Sequence, residues 1–256
     1  MYHGISNDTD ERRRSYFRTV TRPETFESHI QFLVKAGYIV PTLSNAMKML
    51  ADNDWCDTDK LAVITFDDGL QDFYTSAYPT LSRYGYLATV FLSTAYIDRD
   101  FITGAPCLTA SQIHELSSCG IEFGSHTVTH PQLLELDEKD IVNELAESRQ
   151  TIENITGQEA TSFSYPFRFP EEDNTFVRFL AGALRESGYR RGVTTTIGRW
   201  QPESQGMFLP RLPINDLDDP SLFSAKLCGN YDWMHQAQLA AKRLRAISTL
   251  SKSARA

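Results

Sequence analysis

Two acids stand side by side in Thr65-Phe66-Asp67-Asp68-Gly69, directly after the apolar run Leu61-Ala62-Val63-Ile64. A buried strand that ends on adjacent carboxylates needs a cation or a shared proton between them, because burying like charges together is costly. Ser125-His126-Thr127-Val128-Thr129-His130-Pro131 offers two imidazoles further along the chain. One carboxylate with two histidines makes a three-ligand site with an open position for water, the donor set of a hydrolytic zinc centre. The spacing of four predicts both imidazoles on one side of a helical turn. No Glu follows His126, so the HExxH arrangement is excluded. The two aspartates need different jobs. One binds the ion; the other stays free to take a proton from the water, kept ionised by the neighbouring cation.

The surrounding pattern alternates strand and helix. Pro23 opens a helix along Phe26, Ile30, Leu33 and Val34, stopped at Gly37; Tyr38-Ile39-Val40 is a short strand, and a helix follows over 43–50. After Gly69 a helix carries Phe73, Ala77, Tyr78 and Leu81, and residues 87–92 form a buried strand. Thr109 with Gln112 caps a helix, and residues 121–124 form the strand that delivers the histidines. A helix from Asp137 to about Ile155 ends at Gly157. Strands over 160–165 and 189–194 flank a helix over 175–187. A proline-bounded edge strand spans 208–213, and helices begin at Ser221 and Met234, the last running to Leu250 before a frayed end. Trp233 is expected in the core. The alternation predicts an α/β protein with a parallel sheet, open or closed as a barrel, and each candidate residue follows a strand.

The 256 residues suit one domain over 1–256, as α/β barrels reach this length, and 41% hydrophobic residues supply a core. A formal charge of −8 argues against a nucleic-acid partner. No run of 18 apolar residues and no basic-then-apolar opening occur, so neither a membrane span nor a signal segment is expected, and the protein is expected in the cytoplasm. Cys56, Cys107, Cys119 and Cys228 show no CxxC spacing and are expected as free thiols. Glu11-Arg12-Arg13-Arg14 reads as a solvated face.

Thr65–Gly69 together with Ser125–Pro131 resembles the first two motifs of the polysaccharide deacetylases, carbohydrate esterase family four. Tyr2-His3 and Tyr165-Pro166-Phe167 are similar to two further motifs of that family. The resemblance implies a distorted (β/α) barrel of about seven parallel strands, a divalent ion, and removal of an N-acetyl group from an amino sugar of a polysaccharide, oligosaccharide or lipid-linked precursor. It implies Asp67 as general base, with Asp68, His126 and His130 as metal ligands. The Phe167 N–H would help hold the oxyanion. Zinc suits the donors, while cobalt, nickel and iron also accept them.

Two departures follow. The family's late histidine, its usual general acid, is missing where this chain reads Arg211-Leu212-Pro213-Ile214-Asn215-Asp216; Tyr2-His3 resembles the early Tyr-His that supplies it in a rearranged branch of the family, which implies His3 as the candidate acid. Ser164 stands where the family's base-orienting arginine precedes the Tyr-Pro pair, leaving Arg168 or Arg211 to replace it, with Arg211 favoured by its place at a strand end. Tyr165, Phe167, Arg168 and Arg211 are the expected substrate-binding residues. The competing readings are hydrolysis of another amide or an O-acetyl ester on the same site, and a glycan-binding protein without catalysis.

Overall fold

The computed structural model describes residues 1–8, 19–52, 60–201, 206–235 and 239. Near the start, β1 (Gly4–Ile5) pairs in parallel with β2 (Val20–Thr21), and β3 (Tyr38–Ile39) with β4 (Lys60–Leu61). The main sheet runs from β5 (Thr65–Phe66) through β6 (Thr89–Leu92), β7 (Glu122–Ser125), β8 (Ser162–Ser164) and β9 (Arg191–Ile197) to β10 (Leu209–Arg211), all parallel. All four residues of β6 are buried, as a strand covered on both faces requires.

The expected strand over Leu61–Ile64 is interrupted. Ala62 N donates to Ile39 O at 3.0 Å, whereas Ile64 O accepts from Thr89 N at 3.0 Å. The chain changes partner from β3 to β6 within three residues, so no ladder persists across the run. The seventh strand is also only partial. Tyr2 N donates to Thr65 O (2.8 Å), Asp67 N to Tyr2 O (3.1 Å) and Ile214 N to Met1 O (3.0 Å). Residues 1 and 2 thereby fill the gap between β5 and the exit of β10, and the six-stranded sheet curls into a distorted barrel.

Helices cover the sheet where the sequence sets them. Pro23 starts α1 (Pro23–Lys35), which buries Phe26, Ile30 and Leu33; Thr42 caps α2 (Leu43–Ala51). Before α3 (Tyr78–Arg83) the chain makes a π-helical turn, Phe73–Ala77, closed by Tyr78 N on Phe73 O. Pro79 accounts for it, since its ring lacks an N–H and crowds the carbonyl four residues back. Thr109 and Gln112 form the reciprocal capping box of α4 (Ala110–Ser118). Asp137 caps α5 (Glu138–Thr156), which buries Ile141, Leu145, Ser148 and Ile152 and ends at left-handed Gly157. Asp173 caps α6 (Asn174–Glu186), and Asp219 with Pro220 opens α7 (Pro220–Leu227).

An apolar cavity of about 430 Å³ lies at the barrel seam, lined by Leu33, Leu43, Met47, Leu61 and Leu209 among others. Asp67, Asp68, His126 and His130 are not in its wall; it meets the candidate site only through Arg211, which lines it. Trp233 is not a core residue; it is 68% exposed. Cys107, Cys119 and Cys228 are free thiols. Residues 11–14, Cys56, most of the helix expected from Met234 to Leu250, and the end after it lie outside the described residues. No described helix is long and apolar enough to cross a membrane.

Candidate active site

At the end of β5 the backbone separates the two acids. Asp68 and Gly69 are both left-handed, with φ of 73° and 68°. Asp tolerates that region better than most side chains; at residue 69 a Cβ would also sit 2.6 Å from Leu92 Cδ2, so only glycine fits. Asp67 is buried, and Arg211, the last residue of β10, grips it with both ends of its guanidinium. Nη1 donates to Oδ1 and Nη2 to Oδ2, each at 2.7 Å. Ser164 Oγ donates to Asp67 Oδ1 at 3.2 Å and accepts from Arg211 Nη2 at 3.0 Å. Burial is the largest single influence and would raise the Asp67 carboxyl, but the Arg211 charge and hydrogen bonds, together with His126 and His3, outweigh it and hold the group well below the usual carboxylate range. Asp67 is therefore ionised.

Asp68 lies on the other side of the turn, its Oδ1 3.6 Å from His126 Nε2 and 3.5 Å from His130 Nε2. These three side chains each bring a donor atom within 4.8 Å of the others, and no other such group of three exists among the described residues. His126 Nδ1 is 2.8 Å from the Ser164 carbonyl. A carbonyl can only accept, so Nδ1 carries the proton and the Nε2 lone pair faces Asp68. Burial pushes His126 down to about 3 and lowers His130 as well, so both rings are neutral donors. Burial, with Asp67 beside it, raises Asp68 to about 8. A carboxyl group whose charge its surroundings disfavour, facing two neutral imidazoles, suits a divalent cation in donor type and charge.

The histidines do not share a helical turn. Residues 126–131 form a loop in which Thr127 (φ 72°) and His130 (φ 57°) are left-handed. A β-branched residue there costs about 1–3 kcal/mol, so the surroundings must enforce it. They do so through a complete set of hydrogen bonds. Thr127 N donates to Ser125 Oγ, Val128 N and Thr129 N to Glu144 Oε2, and His130 N to Thr127 Oγ1. The loop carbonyls of Thr127 and Val128 accept from Thr94 N and Ala95 N.

Arg211 thus takes the place beside Asp67 that the missing arginine leaves. Arg168 does not. It pairs with Glu172 near the surface. Tyr165 is also not at the mouth of the site: its ring is buried against Phe169 and Phe176. Phe167 is left-handed (φ 58°) and half exposed, with its ring 4.5 Å from that of His130. Phe101 covers the same imidazole at 5.3 Å. His3 follows Tyr2, whose carbonyl accepts from Asp67 N, and emerges beside the base. Burial pushes its imidazole down to about 4, with Asp67 pulling the other way and Arg211 and His130 adding to the fall. Two contributions were not foreseen from the sequence: that of Ser164, which touches Asp67, Arg211 and His126 at once, and that of Glu144. The signal for Glu144 is a weak one, a polar residue one turn before Ser148 on a helix that packs inward.

The sequence model of polysaccharide deacetylases matches residues 55–182. YxkH of Bacillus subtilis (strain 168), classed with the polysaccharide deacetylases, is 34% identical over 227 residues, covering 88% of this chain and 74% of its own. The poly-beta-1,6-N-acetyl-D-glucosamine N-deacetylase of Staphylococcus aureus (strain MSSA476) is 23% identical over 162 residues, 60% of this chain. This chain spans about half of that enzyme's length, 54%. Among solved structures, the Streptococcus pyogenes deacetylase PplD in complex with acetate superposes with a TM-score of 0.76 at 25% identity, over 89% of this chain and 96% of that one. It supports the distorted barrel. The chain belongs to the polysaccharide deacetylase family.

Proposed function

We propose that the protein is a metal-dependent hydrolase that removes the N-acetyl group from an amino sugar in a polysaccharide, oligosaccharide or lipid-linked precursor. The observation that carries this reading is the pairing of an ionised base, Asp67 clamped by Arg211, with a neutral-imidazole and carboxylate ion site at the next residue. Asp68, His126 and His130 would hold the ion, zinc by donor type, with cobalt, nickel or iron also accommodated. When bound, the ion supplies a Lewis acid for the acyl oxygen and acidifies water.

The chain's own groups would do the rest. Asp67 takes a proton from the attacking water as its oxygen bonds to the acetyl carbon. The Phe167 N–H donates to the oxygen that gains negative charge. The C–N bond then breaks as His3 protonates the departing amine, and acetate leaves with the carboxyl carbon. A neutral His3 gains the proton it donates from Asp67, which took it from the water, as negative charge growing nearby raises the affinity of His3 for it. The acetate bound to PplD fits acetate as a product here.

Acetate release from N-acetylglucosamine oligomers, compared with O-acetyl esters, tests the bond and substrate class. Asp67→Asn should lower turnover roughly 100- to 10,000-fold, the usual contribution of a general base, with the ion retained. Full turnover in that variant would overturn the role given to Asp67.

A further inference from the structure

The residues that could bind the ion are held by residues that could not, and one stands out. Glu144, on α5, reaches the histidine loop from below and accepts Val128 N at 2.6 Å and Thr129 N at 3.0 Å on Oε2, and Thr129 Oγ1 at 2.7 Å on Oε1. It lies fourteen positions after His130 in the sequence and on a different element. One turn further along α5, Ser148 Oγ meets Ser125 Oγ at 2.7 Å, and Ser125 Oγ accepts Thr127 N at 3.0 Å. Three successive loop amides, those of residues 127–129, are therefore fixed directly or through one hydroxyl by two residues on one face of α5. On the opposite side, Thr94 N, Ala95 N and Tyr96 Oη hold the carbonyls of Thr127, Val128 and Thr129.

Two properties make Glu144 the member on which the others depend. Adjacent amides converging on one oxygen need an acceptor, and a carboxylate binds N–H groups more strongly than a neutral one. The loop between the two imidazoles is also left-handed at both Thr127 and His130, a path that an unpinned chain would leave. Release of the amides at 128 and 129 would let His130 swing away while His126, tied to Ser164 O, stays.

We infer that Glu144 is a positioning residue for metal binding: it fixes the distance between the two imidazoles and so sets the affinity for a divalent cation that it never touches. This rests on the reading of Asp68, His126 and His130 as an ion site. Outer groups that orient metal ligands typically govern affinity by 10- to 100-fold.

Zinc affinity, measured by competition with a chromophoric chelator, and the visible spectrum of the cobalt-loaded protein test it, with thermal unfolding followed alongside. Glu144→Ala should bind zinc at least 10-fold more weakly than the parent and show an altered cobalt spectrum. Glu144→Gln, which keeps an oxygen for the two amides, should recover much of that loss. Parent-like zinc affinity and cobalt spectrum in Glu144→Ala would overturn the inference while leaving the ion site intact, even if its melting temperature fell. A parent that binds neither ion would overturn the ion site itself. Should Glu144→Ala fail to fold, hydrogen exchange of the metal-free parent decides: slow exchange at the Val128 and Thr129 amides supports the clamp, and fast exchange refutes it.

Discussion

Arg211→Ala isolates the pairing on which the base depends. Arg211 is 6% exposed and every direction its guanidinium points in is occupied: Asp67 twice at 2.7 Å, Thr194 O at 3.0 Å, Thr65 Oγ1 at 3.2 Å and Ser164 Oγ at 3.0 Å. Removing one partner of such a pair leaves a buried charge uncompensated, which costs about 3–5 kcal/mol. For a chain of this size each kcal/mol corresponds to roughly 2–4 °C in melting temperature, so a fall of about 6–20 °C is expected in thermal unfolding of the chelated protein. Activity should change in a way that stability alone cannot explain. In the parent, Arg211 holds the Asp67 carboxyl well below its ordinary value against the opposing effect of burial. Without it burial prevails, the carboxyl binds protons more readily, and the acid limb of the pH–rate profile moves to higher pH. Arg211→Lys should fall between, since an ammonium supplies the charge but not the fork. The double variant Asp67→Asn with Arg211→Ala should be more stable than Arg211→Ala alone, because no buried carboxylate is stranded. A single variant with an unchanged acid limb and a melting temperature within a degree of the parent would refute the reasoning.

Three further outcomes follow from the same contacts. His126→Ala should yield protein without a stoichiometric ion by elemental analysis, since one of three donors is gone. Glu122, the first residue of β7, accepts Ser44 N (2.9 Å), Ser44 Oγ (2.7 Å), Thr89 Oγ1 (3.0 Å) and Ser162 Oγ. Glu122→Ala should cost about 3 kcal/mol in denaturant unfolding yet leave zinc affinity unchanged, because it lies at the far end of the strand, about 10 Å from Ser125. Asp137→Ala removes the side chain that accepts Asp140 N at the start of α5 and should lower stability by about 1 kcal/mol, read as a shift of roughly 2–4 °C.

What could be read from the sequence was what depends on neighbours along the chain. The capping box at Thr109 and Gln112 and the stop at Gly157 occur where expected, because each satisfies backbone groups within one turn. The Leu61–Ile64 strand failed for the opposite reason. Its composition suits a strand, but hydrogen bonds from two different neighbours compete for it, and only the folded sheet decides which residues each obtains. The histidine pair misled in a similar manner. A spacing of four is compatible with a helix and equally with a loop that doubles back, and the loop requires left-handed residues that no composition rule forecasts at a threonine. Trp233, expected in the core, is exposed.

The displaced arginine shows why a site can be only half written in local motifs. What the base needs is a guanidinium in its plane, and the strand that supplies it is immaterial to the chemistry. Here β10 supplies Arg211, and the short Ser164 on β8 suits the arrangement, donating its hydroxyl to Asp67 and accepting from Arg211 where a longer side chain would compete for the same space. The Ser164 carbonyl meanwhile fixes the His126 tautomer. A substitution that removes a positive charge from the motif therefore leaves both the base and the ligand oriented. The same logic applies to Glu144, whose contribution is a pair of backbone contacts made across a tertiary interface. The candidate ligands and the acid beside them were nominated by type and spacing, whereas the residues that hold them in place reach the site from separate elements, and only the packing of β10 and α5 brings them there.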